Sequence, residues 1–176
     1  MVATKAVFLD RDGVINRTEV RDGKPYAPRT LAEFALLPGV AKACQTLADA
    51  GFLLFVVTNQ PDIGNGLVTR SVVNAMHTQL LAELPITKIY LCPHTQTAGC
   101  ECRKPKPGML LKAKDEFGIR MAASFMVGDR YSDIQAALAA GCNPIFLDKN
   151  YIETPEFDGT LRAQNLPEAS ALILNW

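Results

Sequence analysis

The sequence predicts an α/β protein with three layers, in which a Rossmann-like parallel sheet carries helices on both of its faces. Continuous apolar runs rich in β-branched and aromatic residues recur along the chain, and such runs are typical of parallel strands buried on both faces. Helical patterns lie between these runs, and most of them end at a glycine. Since strands that alternate with helices are joined by right-handed crossovers, we expect one parallel sheet.

The predicted strands are short, and most are closed by polar residues. The first run, K-A-V-F-L, is closed by Asp10, and the second, F-L-L-F-V-V, by Thr58 and Asn59. The fourth run ends at Gly128 and Asp129. We therefore predict five strands, over residues 5–9, 52–57, 88–92, 124–127 and 144–147.

The predicted helices begin and end at recognisable residues. The pattern over 39–50 places its apolar residues on one face and stops at Gly51. Cys44 and Cys142 lie in apolar stretches and are expected to be ordinary core residues, whereas His77 is expected to be a partly exposed structural histidine. Further helices are predicted over residues 69–84, 108–117 and 132–140, with a terminal helix near 167–175.

The topology places several polar residues at one edge of the sheet. Ligands of open α/β sheets bind beyond the carboxyl ends of the strands, and Asp10, Thr58 and Asp129 all follow strand ends. The polar, turn-rich segment 17–37 is predicted to be a short flap, and no insertion is long enough to form an independent cap domain. We expect a single domain over residues 1–176.

Composition and charge exclude several classes of protein. The chain has 176 residues, of which 48% are hydrophobic, and 18 Lys+Arg balance 18 Asp+Glu. This composition excludes a disordered chain, and the zero net charge argues against nucleic acid or an acidic membrane surface as the partner. No apolar run approaches the roughly 20 residues of a membrane helix, and residues 1–6 lack the apolar stretch of a secretory signal. We expect a cytoplasmic monomer without nucleic-acid or membrane partners.

Two carboxylates follow the first predicted strand in the motif F-L-D-R-D-G-V-I-N. Asp10 ends the strand and Asp12 lies in the loop beyond it, so the two can converge above the sheet edge. Such carboxylates resist joint ionisation unless a cation lies between them or one keeps a proton. A magnesium site needs these hard oxygen ligands, and a carboxylate nucleophile needs a neighbouring acid or base. A solvated strand-end turn is the alternative interpretation.

Three further motifs supply polar residues at the same edge. V-V-T-N-Q puts Thr58 at a strand tip, where a hydroxyl and backbone N–H groups can hold phosphate oxygens. M-V-G-D-R-Y-S-D supplies Asp129 at a strand end and Asp133 in the next helix, where the helix dipole is an alternative reason for an acid. In R-K-P-K-P-G-M, Arg103 and Lys104 lie beside prolines that stiffen the backbone, which indicates a fixed direction, although a solvated charge run is the alternative.

Four candidate metal ligands lie close together within residues 92–102. They are Cys92, His94, Cys100 and Cys102. Clustered cysteines in a cytosolic chain point to metal rather than to disulfides. Three thiolates and an imidazole suit a closed tetrahedral zinc site, which is structural because it leaves no open coordination position. Free cysteines with a surface histidine are the alternative.

Taken together, the motifs resemble those of the haloacid dehalogenase superfamily of phosphohydrolases, and the resemblance covers residues 5–147. It implies that Asp10 attacks phosphorus to form an aspartyl-phosphate. Asp12 would protonate the leaving alkoxide and then activate the hydrolytic water. Thr58 would bind a phosphoryl oxygen, and Lys104 would neutralise charge on the nucleophile and the phosphoryl group.

The same resemblance implies a catalytic Mg²⁺. Asp10, Asp129 and the backbone carbonyl of Asp12 would ligate it, and Asp133 would support it directly or through another group. These implied roles agree with the chemistry of phosphoryl transfer, which requires alignment and cations that stabilise spreading negative charge.

The zinc-loop motifs, C-P-H and C-E-C-R-K-P-K-P-G-M, narrow the resemblance to a group whose members act on a heptose bisphosphate or on histidinol phosphate. The P-G-M ending favours the sugar bisphosphate, with histidinol phosphate or another small phosphomonoester as the alternative. The resemblance implies that Asn59, Arg103 and Arg130 contact the substrate. An arginine that the group typically carries after T-N-Q is absent from residues 61–66. The candidates for binding a second phosphate are Arg103, Arg130 and the flap cations Arg17, Arg21 and Lys24.

Alternatives from other classes are also open. A receiver-type phospho-acceptor domain has a parallel sheet, strand-end aspartates and magnesium, but its acceptor lies on a later strand than its acid pair and it has no zinc loop. A zinc-dependent binding module without catalysis is a second alternative. A dinucleotide-binding enzyme is disfavoured, because no G-x-G-x-x-G follows the first strand.

Overall fold

The structure is a computed structural model that describes residues 4–152 and 160–176. The strands of this part of the chain are β1 (Lys5–Leu9), β2 (Glu19–Arg21), β3 (Lys24–Tyr26), β4 (Phe52–Asn59), β5 (Lys88–Cys92), β6 (Phe125–Gly128), β7 (Asn143–Leu147) and β8 (Leu161–Ala163). The α-helices are α1 (Val40–Asp49), α2 (Pro61–Gly64), α3 (Arg70–Glu83), α4 (Gly108–Phe117), α5 (Tyr131–Ala140) and α6 (Leu166–Leu174). None of the helices described is long and apolar enough to cross a membrane.

Six of these strands form a parallel sheet in the order β5-β4-β1-β6-β7-β8. Leu9, the last residue of β1, pairs with Val56 of β4 on one side and with Val127 of β6 on the other. Because parallel strands end at the same edge, this register brings the ends of β1, β4 and β6 side by side. The three polar strand ends of the sequence therefore meet at one place.

Helices cover both faces of the sheet, which confirms the predicted three layers. Side chains of β1 alternate between two hydrophobic clusters: Val7 and Leu9 pack into one, and Ala6 and Phe8 into the other. Most buried apolar residues of α1, α3 and α6 belong to the first cluster, and most of those of α4 and α5 belong to the second. Burial on both faces explains why the strands are continuous apolar runs.

Most predicted elements are confirmed, and the differences have local reasons. The strands over 5–9 and 88–92 have the predicted bounds, whereas β4 continues through Thr58 and Asn59. The strand β8 was not predicted, because it has three residues and an exposed arginine at its centre. The expectation of one helix between β4 and β5 was wrong, since α2 begins at Pro61, a residue suited to a first helical position.

The flap, residues 17–37, folds as an antiparallel hairpin of β2 and β3 followed by a 3₁₀ turn over Leu31–Glu33. Asp22 and Gly23 both have positive φ, at 51° and 70°, which is the geometry of the tight hairpin turn that Asp-Gly favours. In the described part of the chain, this hairpin and the 3₁₀ turn lie between β1 and α1. As predicted, there is no separate cap domain in the described chain.

Candidate active site

Three buried carboxylates meet at the carboxyl edge of the sheet. Asp10 follows β1, Asp129 follows β6, and Asp133 lies in the first turn of α5. One oxygen from each of them lies within 4.8 Å of the others. Oδ1 of Asp129 is buried without a hydrogen-bond partner among the described residues. A hard divalent cation satisfies such converging oxygens, so this acid cluster fits Mg²⁺.

The electrostatics of the acid cluster favour a bound cation. Burial, with a further contribution from the Asp133 carboxylate, raises the pKa of Asp10 to about 7, although Lys104 acts in the opposite direction. Burial, together with Asp10 and Asp133, raises the pKa of Asp129 well above its usual range. Both shifts express the cost of three anions in a desolvated space, and a cation reduces that cost.

Lys104 is buried between two of these acids. Its Nζ lies 2.9 Å from Oδ1 of Asp10 and 2.7 Å from Oδ1 of Asp133, and it donates to the carbonyl of Val57 at 2.8 Å. Burial opposes the charged form of Lys104, but the two carboxylates outweigh it and raise its pKa. The ammonium group therefore stays charged beside Asp10, where the resemblance placed it. Lys106, the second lysine of the R-K-P-K-P-G-M motif, pairs with Glu101 instead.

Asp12 is held by donors on both of its oxygens. The guanidinium of Arg11 lies 3.0 Å from Oδ1 and 3.2 Å from Oδ2, Asn16 Nδ2 donates to Oδ1 at 2.9 Å, and Gln60 Nε2 donates to Oδ2 at 2.6 Å. Gly13 follows with φ 82°, and a Cβ there would overlap the carboxylate of Asp129. The D-x-D-G turn is thus a packed part of the site rather than a solvated turn.

The residues of the T-N-Q motif have different roles. The hydroxyl of Thr58 accepts a hydrogen bond from Gln60 Nε2 at 2.9 Å. Asn59, predicted to contact substrate, lines the cavity over the site, but its amide also brackets the backbone of Lys104. It donates to the carbonyl of Lys104 at 3.0 Å and accepts from its N–H at 3.1 Å. Asn59 therefore fixes the backbone of Lys104.

A cavity of about 530 Å³ lies over the acid cluster. The predicted substrate contacts Arg103 and Arg130 both line it, and Nη1 of Arg103 is buried without a hydrogen-bond partner in the described part of the chain. An unpaired buried guanidinium nitrogen fits an anionic ligand. Of the other candidates for a second phosphate site, the flap cations Arg17, Arg21 and Lys24 do not line this cavity. The flap contributes Arg29 to the cavity instead.

The four predicted zinc ligands converge in the zinc loop, residues 92–102. The Sγ atoms of Cys92 and Cys102 each lie 3.6 Å from that of Cys100, and Nδ1 of His94 lies 3.5 Å from Cys92 Sγ and 3.2 Å from Cys102 Sγ. Tetrahedral zinc spaces two sulfurs about 3.7 Å apart and a sulfur and a nitrogen about 3.5 Å apart. The donor set therefore fits zinc, and Arg103 and Lys104 follow its last ligand directly.

Several residues of the site were missed from the sequence. Arg11 is fully buried, and its Nη1 lies 3.1 Å from Nε2 of His77, which is itself buried rather than partly exposed as expected. Gln60 was part of the T-N-Q motif, a signal that could have identified it. Tyr151 donates to Oδ2 of Asp129 at 2.9 Å, but it lies where the sequence has little periodicity. Together these residues fix the orientation of the carboxylates.

Comparisons with known proteins agree with this geometry. The sequence profile of the haloacid dehalogenase-like hydrolases matches residues 16–141 of the chain. The chain is 41% identical to the D-glycero-alpha-D-manno-heptose-1,7-bisphosphate 7-phosphatase of Campylobacter jejuni, over 98% of this chain and 95% of the relative. It is 42% identical to the corresponding beta-heptose enzyme of Escherichia coli K12, over 77% of this chain and 74% of the relative.

A solved structure gives the same result. The crystal structure of the D,D-heptose 1,7-bisphosphate phosphatase from B. bronchiseptica, complexed with magnesium and phosphate, superposes with a TM-score of 0.85 at 31% identity. The match covers 98% of this chain and 99% of that one. The comparisons assign the acid cluster and the lysine at the edge of the parallel sheet to a phosphohydrolase, and the chain belongs to the haloacid dehalogenase-like hydrolase family.

Proposed function

We propose that this chain removes the 7-phosphate from D-glycero-D-manno-heptose 1,7-bisphosphate, with Mg²⁺ at the acid cluster and a structural Zn²⁺ in the zinc loop. The observation that carries the proposal is the position of Lys104 Nζ between Asp10 and Asp133, because it pairs a candidate nucleophile with a fixed cation. The names of the relatives supply the substrate. One phosphatase domain, a cytoplasmic location and a monomeric state stay predictions.

The contacts of Asp10 support its role as the nucleophile. Its Oδ1 accepts hydrogen bonds from Lys104 Nζ at 2.9 Å and from the backbone N–H of Arg11 at 2.8 Å. Oδ2 is therefore the oxygen that attacks. Lys104 lowers the negative charge that the incoming phosphoryl group meets. Mg²⁺, when bound, supplies positive charge to the phosphoryl oxygens and to the Asp10 carboxylate.

Asp12 moves the protons in both halves of the reaction. In the first, Asp10 Oδ2 forms a bond to phosphorus, the bond from phosphorus to the sugar oxygen breaks, and protonated Asp12 gives its proton to that oxygen. In the second, Asp12 takes a proton from water as the water oxygen attacks phosphorus. The Asp10–phosphorus bond then breaks, so inorganic phosphate leaves and both side chains return to their starting states.

A panel of phosphate esters tests the substrate. The purified protein with Mg²⁺ is assayed for phosphate release from both anomers of heptose 1,7-bisphosphate, from heptose 7-phosphate and from histidinol phosphate. We expect kcat/KM for a bisphosphate anomer to exceed the others at least about tenfold, with heptose 1-phosphate as the product. D10N, in which the nucleophile is replaced, is the control for a contaminating phosphatase. Equal rates on all the esters, or release of the 1-phosphate, would contradict the proposal.

A further inference from the structure

One basic residue of the flap lines the cavity over the acid cluster, and it is Arg29. Arg17, which was among the expected candidates, lines a separate cavity of about 490 Å³ beside the flap. Arg17 and Arg29 therefore line different cavities. Arg29 is the flap residue that can meet a ligand extending from Asp10.

The guanidinium of Arg29 forms an ion pair with one carboxylate. Its Nε donates to Oδ2 of Asp62 at 2.8 Å, and Asp62 lies in α2, which follows β4. The backbone N–H of Arg29 donates to Glu33 Oε2 at 2.9 Å, which fixes the start of the 3₁₀ turn. Among the described residues, the side chain of Arg29 makes its hydrogen bond through Nε. Its two Nη groups can therefore bind a ligand.

Arg29 takes no part in the acid cluster. The carboxylates of that cluster and Asp12 are hydrogen-bonded by other groups, chiefly Lys104, Arg11 and Gln60. The side-chain hydrogen bond of Arg29 therefore lies outside the acid cluster. Asp62 and Arg29 are neighbours in the wall of the same cavity, where a second anionic group of the substrate would come.

A sugar bisphosphate carries a second dianion that the cavity has to accept. Guanidinium groups suit such an anion, because their planar fork donates two parallel hydrogen bonds to phosphate oxygens. Arg103 already offers a buried, unpaired Nη1 to the cavity. Arg29, which belongs to the flap, offers a second guanidinium to the same cavity.

We propose that Arg29 determines specificity for a bisphosphate, because it binds the phosphate that is not hydrolysed, while Asp62 holds its guanidinium in position. This inference rests on the proposed function, since it concerns the same substrate. It also accounts for residues 61–66, from which the arginine typical of the zinc-loop group is absent. The cation comes from the flap, and Asp62 anchors it.

The alternative is that the ion pair of Arg29 and Asp62 only fastens the flap to α2. Two substitutions separate these interpretations. R29Q removes the guanidinium, whereas D62N removes the anchor and leaves the guanidinium to the ligand. If Arg29 binds the substrate, R29Q lowers the activity on the bisphosphate strongly and D62N lowers it only slightly. If the ion pair only fastens the flap to α2, both variants lower the activity equally. K24Q is the matched control, because Lys24 is an exposed cation of the same flap and lies outside the cavity.

The experiment compares kcat and KM for heptose 1,7-bisphosphate and for heptose 7-phosphate in the four proteins. We expect R29Q to raise KM for the bisphosphate at least about tenfold, with kcat and the kcat/KM for the 7-phosphate within about twofold of the wild type. We expect D62N to raise KM for the bisphosphate by less than R29Q does, about two- to fivefold, because the guanidinium remains but is held less firmly, and we expect K24Q to change the kinetics of neither substrate. The preserved activity on the 7-phosphate shows that each variant is folded.

The outcomes distinguish the inference from the function on which it rests. If the wild type uses both substrates equally, the proposed bisphosphatase function fails, and the inference fails with it. If the wild type prefers the bisphosphate and R29Q keeps that preference, the inference alone is overturned. Equal losses in R29Q and D62N, or equal losses on both substrates, also overturn it, because they show a fastening of the flap.

Discussion

Nη1 of Arg11 lies 3.1 Å from Nε2 of His77, and the same guanidinium binds the carboxylate of Asp12. Burial, together with the positive charge of Arg11, lowers the pKa of His77 to about 4, so at neutral pH the ring is uncharged. A neutral Nε2 accepts a hydrogen bond from Arg11. The histidine thus positions Arg11, and Arg11 positions the residue proposed as the general acid and base.

Replacing His77 by leucine is expected to destabilise the protein and to slow catalysis. H77L leaves a buried N–H of Arg11 without its acceptor, which costs about 1–3 kcal/mol of unfolding free energy. The activity falls as well, because Arg11 no longer holds Asp12 in one orientation. Urea unfolding and phosphate release measure the two effects. T78A, at the exposed neighbouring position, is the control and should change stability by less than about 0.5 kcal/mol. Equal stability of H77L and T78A would contradict this assignment.

Stabilisation by Mg²⁺ is expected to depend on pH. In the metal-free protein the pKa of Asp10 is raised to about 7, so the folded state holds a proton that the unfolded chain releases near its ordinary value of 3.8. The stability that this proton contributes is complete below the unfolded pKa and is lost as the pH rises through the folded one. Above that window the ionised acids repel one another, and a cation relieves the repulsion.

Thermal unfolding with and without excess MgCl₂ measures this effect. The increase in Tm on adding Mg²⁺ should be larger at about pH 8 than at about pH 5, because protons compete with the metal for the same oxygens at the lower pH. D129N removes one of these carboxylates, so it should reduce the increase at the higher pH. The same increase at both values would show that the acid cluster is not where Mg²⁺ binds.

The zinc loop is expected to hold about one zinc per chain. C100S should lose the metal and lower both Tm and kcat/KM, since Arg103 and Lys104 directly follow the last ligand, Cys102. C142S replaces a buried cysteine outside the cluster and should keep its zinc. Elemental analysis and thermal unfolding make the comparison. A zinc-free protein that is folded and fully active would rule out the metal site.

The sequence predicts the layers and the reacting groups better than the residues that support them. Asp10, Asp129 and Lys104 could be identified because they stand at strand ends or within strong motifs. Arg11 resembles one more solvated charge next to Asp12, and only the tertiary fold brings its guanidinium against Met76 and His77 of α3. Tyr151 reaches Asp129 from a segment without periodicity.

The flap is a second case in which the sequence predicts a local structure but not how that structure packs. Asp22 and Gly23 predict a turn, and the structure has one. Which flap cations face the cavity then depends on how the flap packs against the rest of the chain. The sequence therefore indicates that the flap offers cations, but its packing selects Arg29.

The central claim is that Asp10 carries the phosphoryl group, and trapping that group tests it most directly. D12N lacks the base for the second half-reaction, and acetyl phosphate has a leaving group that needs no proton. In this variant one phosphoryl group per chain should accumulate, and mass spectrometry should locate it on Asp10. It should be absent from the double variant D10N/D12N, and the wild type should release phosphate without accumulating it. A label on another residue, or no label in a D12N protein that still binds Mg²⁺, would contradict the account.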